Sequence, residues 1–321
     1  MKTHFRLPAF LSALVLVIIA CQLVTPTSNP TTDIGSTQTA LAMTLTSVSN
    51  VQPAQPTLVP FPTIVPPTEI PPAKILPTEE PTSSAEDINK MIDKANILIY
   101  EDVVGYPEML PYIMKALERI GGHHQYVGDA EGVFMDQLSS DTKWDLIIMS
   151  AEVRGSISGD YWTLLTNQVN RNVALVAEAW YLDKISRGKI SPFLEQCGIE
   201  VQKNWERPWN ANPVEYDMYW VEPDNPVFNT PNQVDHFRAS LPTFWPDDAG
   251  DFIEITEGSH AVILASHVRD AHRNYGLITS CMDGRVILQT FSSHDYKGTT
   301  MIALWQNYIM YTLTNHFLAT P

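Results

Sequence analysis

Short, uniformly apolar runs alternate with segments of helical spacing between residues 96 and 201. "NILIYED" (96–102), "WDLIIMS" (144–150) and "NVALVAEA" (172–179) read as fully buried strands. Each is too short for a helix and carries its charges only at the ends. "YPEMLPYIMKALERIGG" places Leu110, Ile113, Met114 and Leu117 at helical spacing, with Gly121 to cap the end. A weak strand at Tyr126–Val127 and a helix near Phe134–Leu138 follow, then helices in "DYWTLLTNQVNRN" and "KISPFLEQCGI" and a strand around Glu200–Val201. Ile88, Met91 and Ile92 share one face of a short leading helix. This alternation predicts an α/β fold, a parallel sheet covered on both faces. The handedness of crossovers makes it doubly wound and flavodoxin-like.

The pattern changes after residue 203. Residues 203 to about 250 are rich in Pro, Asn, Asp and Trp and show no long period. Short strands then read as "DFIEI", "HAVILAS", "LITSCM" and "RVILQT". The last two flank Asp283-Gly284, a strong hairpin signal. "TTMIALWQNYIMYTLTNHF" is apolar on most faces and predicts a buried final helix. The expected architecture is thus a mainly parallel sheet with a C-terminal β-hairpin and a final helix.

The N-terminus belongs to another regime. Lys2 and Arg6 precede an apolar run of about 14 residues, Leu7–Ala20. A spanning helix needs about 20, so the run suits a signal-peptide core. Its end, Ile18-Ile19-Ala20-Cys21, resembles the bacterial lipobox. The resemblance implies cleavage before Cys21 and lipidation of its thiol. From Gln22 to Glu86 the chain is Thr/Pro/Ser-rich and holds half of the 24 prolines. Such a tract cannot bury enough surface to offset its ordering entropy and favours extended polyproline II conformations. Three regions are expected: a signal peptide (1–20), a lipidated cysteine with a disordered tether (21–86), and a folded domain (87–321). The expected location is extracytoplasmic, on the membrane through the lipid.

Net charge is −16, from 36 acids against 20 bases. Such a surface repels phosphate backbones, so nucleic acid is not an expected partner. With Cys21 set aside, Cys197 and Cys281 remain, either as a disulfide or as two buried thiols. No Cys/His cluster has zinc spacing, and His267 and His272 are five apart, off the helical pair spacing. No metal or cofactor is expected. His123-His124, after two glycines, reads as an exposed loop.

The order of elements, with "WDLIIMS", "NVALVAEAW", "EPDNPVFNTP" and "DGRVILQTFSSHDY", resembles the class I glutamine-amidotransferase-like superfamily, in its trehalose-utilisation-type branch. The likeness covers roughly residues 95 to 318. That superfamily implies a thiol on a tight turn after the third strand. Here the turn reads Ala177-Glu178-Ala179-Trp180, with neither Cys nor Ser. Gly155-Ser156-Ile157-Ser158-Gly159 has glycines at elbow spacing but Ile157 at the centre. An amidotransferase activity is therefore not expected, and a ligand-binding domain is.

Candidate residues remain. His294 and Asp295 stand near where the superfamily places its histidine; they could serve chemistry or cap the last helix. Glu178, at the carboxyl end of a strand, could face the ligand crevice or be a salt-bridged loop acid. Together Glu178 and His294/Asp295 form the alternative, a hydrolase of glycan or other envelope substrate. Trp180, Trp205 and Trp209 are candidate ligand-binding rings, with Trp220 and Trp245 nearby. Exposed rings beside acids and amides suit a carbohydrate; the same rings could fill a satellite core. An envelope protein is the other expected partner.

Overall fold

The computed structural model describes residues 85–320, save 107, 154–157, 239–244 and 246. The expected signal, Cys21 and the expected tether as far as residue 84 lie outside the described residues, and Ala85 and Glu86, expected as the tether's last residues, instead begin a helix. No helix among the described residues is long and apolar enough to cross a membrane.

Strands β1 (Asn96–Glu101), β2 (His123–Tyr126), β3 (Leu146–Ala151) and β4 (Ala174–Ala179) follow one another through α2 (Tyr112–Leu117), α3 (Glu131–Ser139) and α4 (Tyr161–Asn170). They lie in the order β2-β1-β3-β4, each pair parallel. The next place is taken by β10 (Val286–Gln289), also parallel to β4. Five parallel strands thus form the flavodoxin-like part of the sheet. Residue parity divides them between two layers. Ile97 and Ile99 pack in one cluster with α1 (Ala85–Ile92), α2 and the final helix α8 (Gly298–Ala319). Leu98 and Tyr100 pack in the other, with α3, α4 and α6 (Ser191–Cys197). Both faces are covered, which is why these strands are apolar at every position.

Beyond β10 the sheet is antiparallel: β9 (Gly276–Cys281), β7 (Asp247–Ile255), then β5 (Ile199–Arg207) at the outer edge. The strand expected near Glu200–Val201 is therefore longer than predicted and is not part of the parallel series. The reason is its burial pattern: Glu200, Lys203 and Glu206 are exposed, as in an edge strand rather than a central one. Two bulges interrupt its pairing with β7, at Val201/Lys203 and Trp205/Glu206. On a side branch, β8 (Val262–Ser266) pairs with β9 and β6 (Tyr219–Trp220) with β8. The hairpin joining β9 to β10 turns through Met282, Asp283 and Gly284, all at positive φ. His123 and His124 are not in a loop but form the start of β2, the opposite edge strand, and are exposed there.

Local chemistry sets the element ends. Gly198 at φ 67 closes α6, its N–H reaching the Glu195 and Leu194 carbonyls. Asn225 caps α7 (Pro226–Asn229), its side chain accepting from Val227 N–H, with Pro226 at the first helical position. A four-residue helix, α5 (Leu182–Ile185), leaves β4 directly. Cys197, the last residue of α6, and Cys281, the last of β9, are joined by a disulfide with Cα atoms 5.3 Å apart.

Candidate functional site

The carboxyl ends of the parallel strands carry one continuous polar row. Glu101, Ser150, Glu178 and Gln289 are neighbours in register on β1, β3, β4 and β10. Each continues the strand face that packs beneath α8. Ser150 Oγ donates to Glu178 Oε2 (2.7 Å), and Gln289 Nε2 and Ser293 N–H donate to Oε1 at 2.9 and 2.7 Å. Tyr308 of α8 donates its hydroxyl to Gln289 Oε1 (3.0 Å), and Trp305 donates its indole N–H to Ser293 Oγ (3.1 Å). Glu178 is 1% exposed. Burial, with the charge of Glu152 beside it, holds its carboxyl well above the usual range against those hydrogen bonds. It lies under α8, shielded from solvent.

A second layer forms just outside this row. Glu152 follows β3 and is buried. Its Oε1 accepts from Ser292 Oγ–H in a short bond and from His294 N–H (2.8 Å). Its Oε2 stands 2.7 Å from His294 Nδ1. The other ring nitrogen, Nε2, is 2.9 Å from the Leu110 carbonyl oxygen, and Tyr112 stacks on the ring at 4.2 Å. Burial opposes a positive charge on His294, but the hydrogen bond and charge of Glu152 outweigh it and raise its pKa. Glu101 accepts from Ile113 N–H (3.3 Å) at the start of α2. Burial pushes its carboxyl up to about 7. The structure thus gives His294 to Glu152, and gives Glu178 its own set of partners.

Asp295 is buried and forms an ion pair with Arg207. It also accepts from Trp245 N–H at 3.1 Å. Arg207 further donates to the carbonyls of Trp245 and Asp248. Asp295 therefore ties β5 to the turn after β10; the N-cap of α8 is Lys297, which makes no side-chain capping bond.

The turn after β4 differs from the expected one. β4 runs through Ala179, and the residue in the left-handed region is Tyr181, at φ 64 and ψ 24. Such a conformation is strained for a bulky side chain. The backbone N–H groups that follow it, of Leu182 and Asp183, donate to Asp251 at 2.7 and 3.3 Å. Burial raises the Asp251 carboxyl to about 7, against those two bonds. Gly250, at φ 144, allows this approach: its backbone lies so near Thr290 that a side chain would meet the Thr290 carbonyl. Trp180 is fully buried, donates to the Glu152 carbonyl (3.0 Å) and packs against Tyr181 and edge-on against Trp245.

Of the three candidate rings, two are core residues. Trp180 fills the carboxyl edge, and Trp205 is buried between Tyr216 and Phe252. Their apolar surroundings outcompete solvent for the rings. Trp209 stands free at 93% exposure. Trp220 stacks on Phe228 at 4.0 Å and packs, half-buried, against the core beneath α8. Among the described residues no group of three or more His, Cys, Asp or Glu is placed to hold a metal.

Sequence reading missed Glu101, Glu152, Tyr112, Arg207 and Asp251. Two of them had a signal: Glu101 and Glu152 are the first acids met on leaving buried strands, as Glu178 nearly is. Arg207 and Asp251 had none, because their partners are 88 and 69 residues away.

Fold and site together define a doubly wound α/β domain whose carboxyl edge is filled by its own side chains. No protein-family model matches the chain, and no curated protein matches it. Among solved structures it is similar to the Trypanosoma brucei CTPS glutaminase domain with bound acivicin. Identity is 9% and the TM-score 0.40, over 68% of this chain and 94% of that one.

Proposed function

We propose that this protein is a membrane-anchored surface lipoprotein whose folded domain binds a ligand without turning it over. The strings "EPDNPVFNTP" and "DGRVILQTFSSHDY" support a relation to the trehalose-utilisation-type amidotransferase-like branch, so a strand-exit nucleophile is the chemistry to test for. The single observation that carries the reading is the exit of β4. The strained position there is Tyr181, and the N–H pair behind it is occupied by Asp251. A tetrahedral oxyanion needs such donors free. The hydrolase alternative gains no support, because Glu178 is sealed under α8 and both nitrogens of His294 are engaged.

Anchoring rests on Cys21 directly after the apolar run, and presentation on the Thr/Pro tract behind it. Two or three acyl chains hold a protein stably on a bilayer. The test is expression of the full chain and of Cys21→Ala with labelled fatty acid, followed by detergent-phase partition. Wild type should carry label and enter the detergent phase; the variant should do neither. Equal partition of the two would overturn the anchor. Release of ammonia from glutamine, or of sugar from a glycan, by purified wild-type protein would overturn the non-catalytic part.

A further inference from the structure

A groove of about 660 Å³ opens between segment 233–238 and the start of α8. Lys297 precedes α8, which itself follows β10, so the groove borders the carboxyl side of the parallel sheet, where folds of this kind receive ligands. Its floor is apolar and rigid. Val234, Phe237 and Tyr296 are buried, and Tyr296 is pinned by donating its hydroxyl to the Tyr216 carbonyl at 3.1 Å. Its rim is hydrophilic, with Gln233, Thr299 and Thr300.

The charges are the informative part. The chain carries a net −16, yet Arg238 and Lys297 both line this groove. Neither side chain makes an ion pair or hydrogen bond among the described residues. Asp235 is the one acid of the lining, and Asp217 acts on Tyr296 from behind. Two unpaired cations on an acidic molecule select an anion locally while the surrounding field turns away polyanions. The volume is far larger than a bare phosphate needs and falls within the range of sites for small organic ligands, roughly 300–1,000 Å³. An apolar floor under a hydroxyl and amide rim fits a sugar ring, which offers a C–H face and hydroxyls together.

We propose that this groove binds an acidic saccharide, a sugar acid or sugar phosphate, with Arg238 and Lys297 holding its anionic group. The inference rests on the domain being a ligand binder and gives that reading a place and a ligand class.

The test uses the full chain in detergent and calorimetric titration with glucuronate, glucose 6-phosphate, neutral glucose and inorganic phosphate. At least one of the two sugar anions should bind. Glucose and phosphate should bind at least tenfold more weakly than that anion. Arg238→Gln with Lys297→Gln should weaken the sugar anion at least tenfold while leaving the thermal midpoint unchanged, since both side chains are exposed. Raising salt should weaken it as well. No binding of either sugar anion by wild type, or binding that survives the double substitution, overturns the proposal. Phosphate binding as tightly as the sugar anion overturns the saccharide assignment. Conversion of the bound sugar, seen by NMR, would sink the non-catalytic reading and leave the groove standing.

Discussion

His294 is bonded on both sides, to the Glu152 carboxylate at Nδ1 and to the Leu110 carbonyl at Nε2. A carbonyl oxygen only accepts, so Nε2 carries a hydrogen. The carboxylate at the other nitrogen favours the protonated ring, in keeping with its raised pKa. With both nitrogens engaged in this way, the ring presents no open nitrogen to a substrate. It works here as a clamp, joining the turn after β10 to the end of β3 and to the segment before α2.

Removing one partner of that clamp should cost more than removing its charge. Glu152→Ala leaves a buried imidazolium and should lower stability by about 3–5 kcal/mol. Glu152→Gln keeps an acceptor and should cost less. Denaturant unfolding of both variants, with the His294 titration followed by NMR, checks this. The His294 pKa should fall in both.

Stability should be greater on the mildly acidic side. Glu101 and Asp251 have folded pKa values of about 7, above the ordinary 4.5 and 3.8. The folded state therefore binds their protons more tightly than the unfolded chain does. Stability is fully present below the unfolded values and is lost as pH rises through about 4 to about 7. His294, also raised, adds a loss above its ordinary value of 6.5. The combined loss should be on the order of a few kcal/mol. Thermal midpoints at pH 5 and pH 8 test it, with Glu101→Gln and Asp251→Asn flattening the difference.

The Cys197–Cys281 bridge closes a loop with a sequence separation of 84 residues. It ties α6 to the strand beside β10 and constrains the unfolded chain. Replacing both cysteines by Ala should destabilise by about 2–5 kcal/mol. Melting of wild type with and without reductant should reproduce that difference, and the double variant should be insensitive to reductant.

Trp180→Ala should cost about 3–5 kcal/mol through the void it leaves between β4 and Trp245. Binding at the groove lined by Arg238 and Lys297 should be unaffected. Comparing unfolding and ligand titration for this one variant separates core from site.

The parallel half of the fold was legible because each central strand is apolar at every position, and only burial on both faces permits that. "LIIMS" and "ALVA" leave no other arrangement. β5 was harder. Its alternation, with Glu200 and Lys203 outward and Trp205 and Arg207 inward, is broken by a bulge at Gln202 that shifts the period. The exit of β4 was misplaced because nothing in "EAWYLD" marks a left-handed residue: strain at Tyr181 is imposed by tertiary contacts, not by a glycine. The polar row was half visible. Glu178 stood out as an acid in an apolar run, whereas Ser150 and Gln289 acquire meaning only when register sets them on either side of it.

The bulge at Gln202 in β5 has a consequence for encounters between copies. A straight outer strand would offer a ladder of free N–H and C=O groups on which a second sheet could grow. The bulge breaks the even spacing of that ladder, and Glu200, Lys203 and Glu206 project from it. At the far end β2 is four residues long and polar throughout. The sheet is thus terminated at both margins, and molecules crowded side by side can touch without templating one another into fibres.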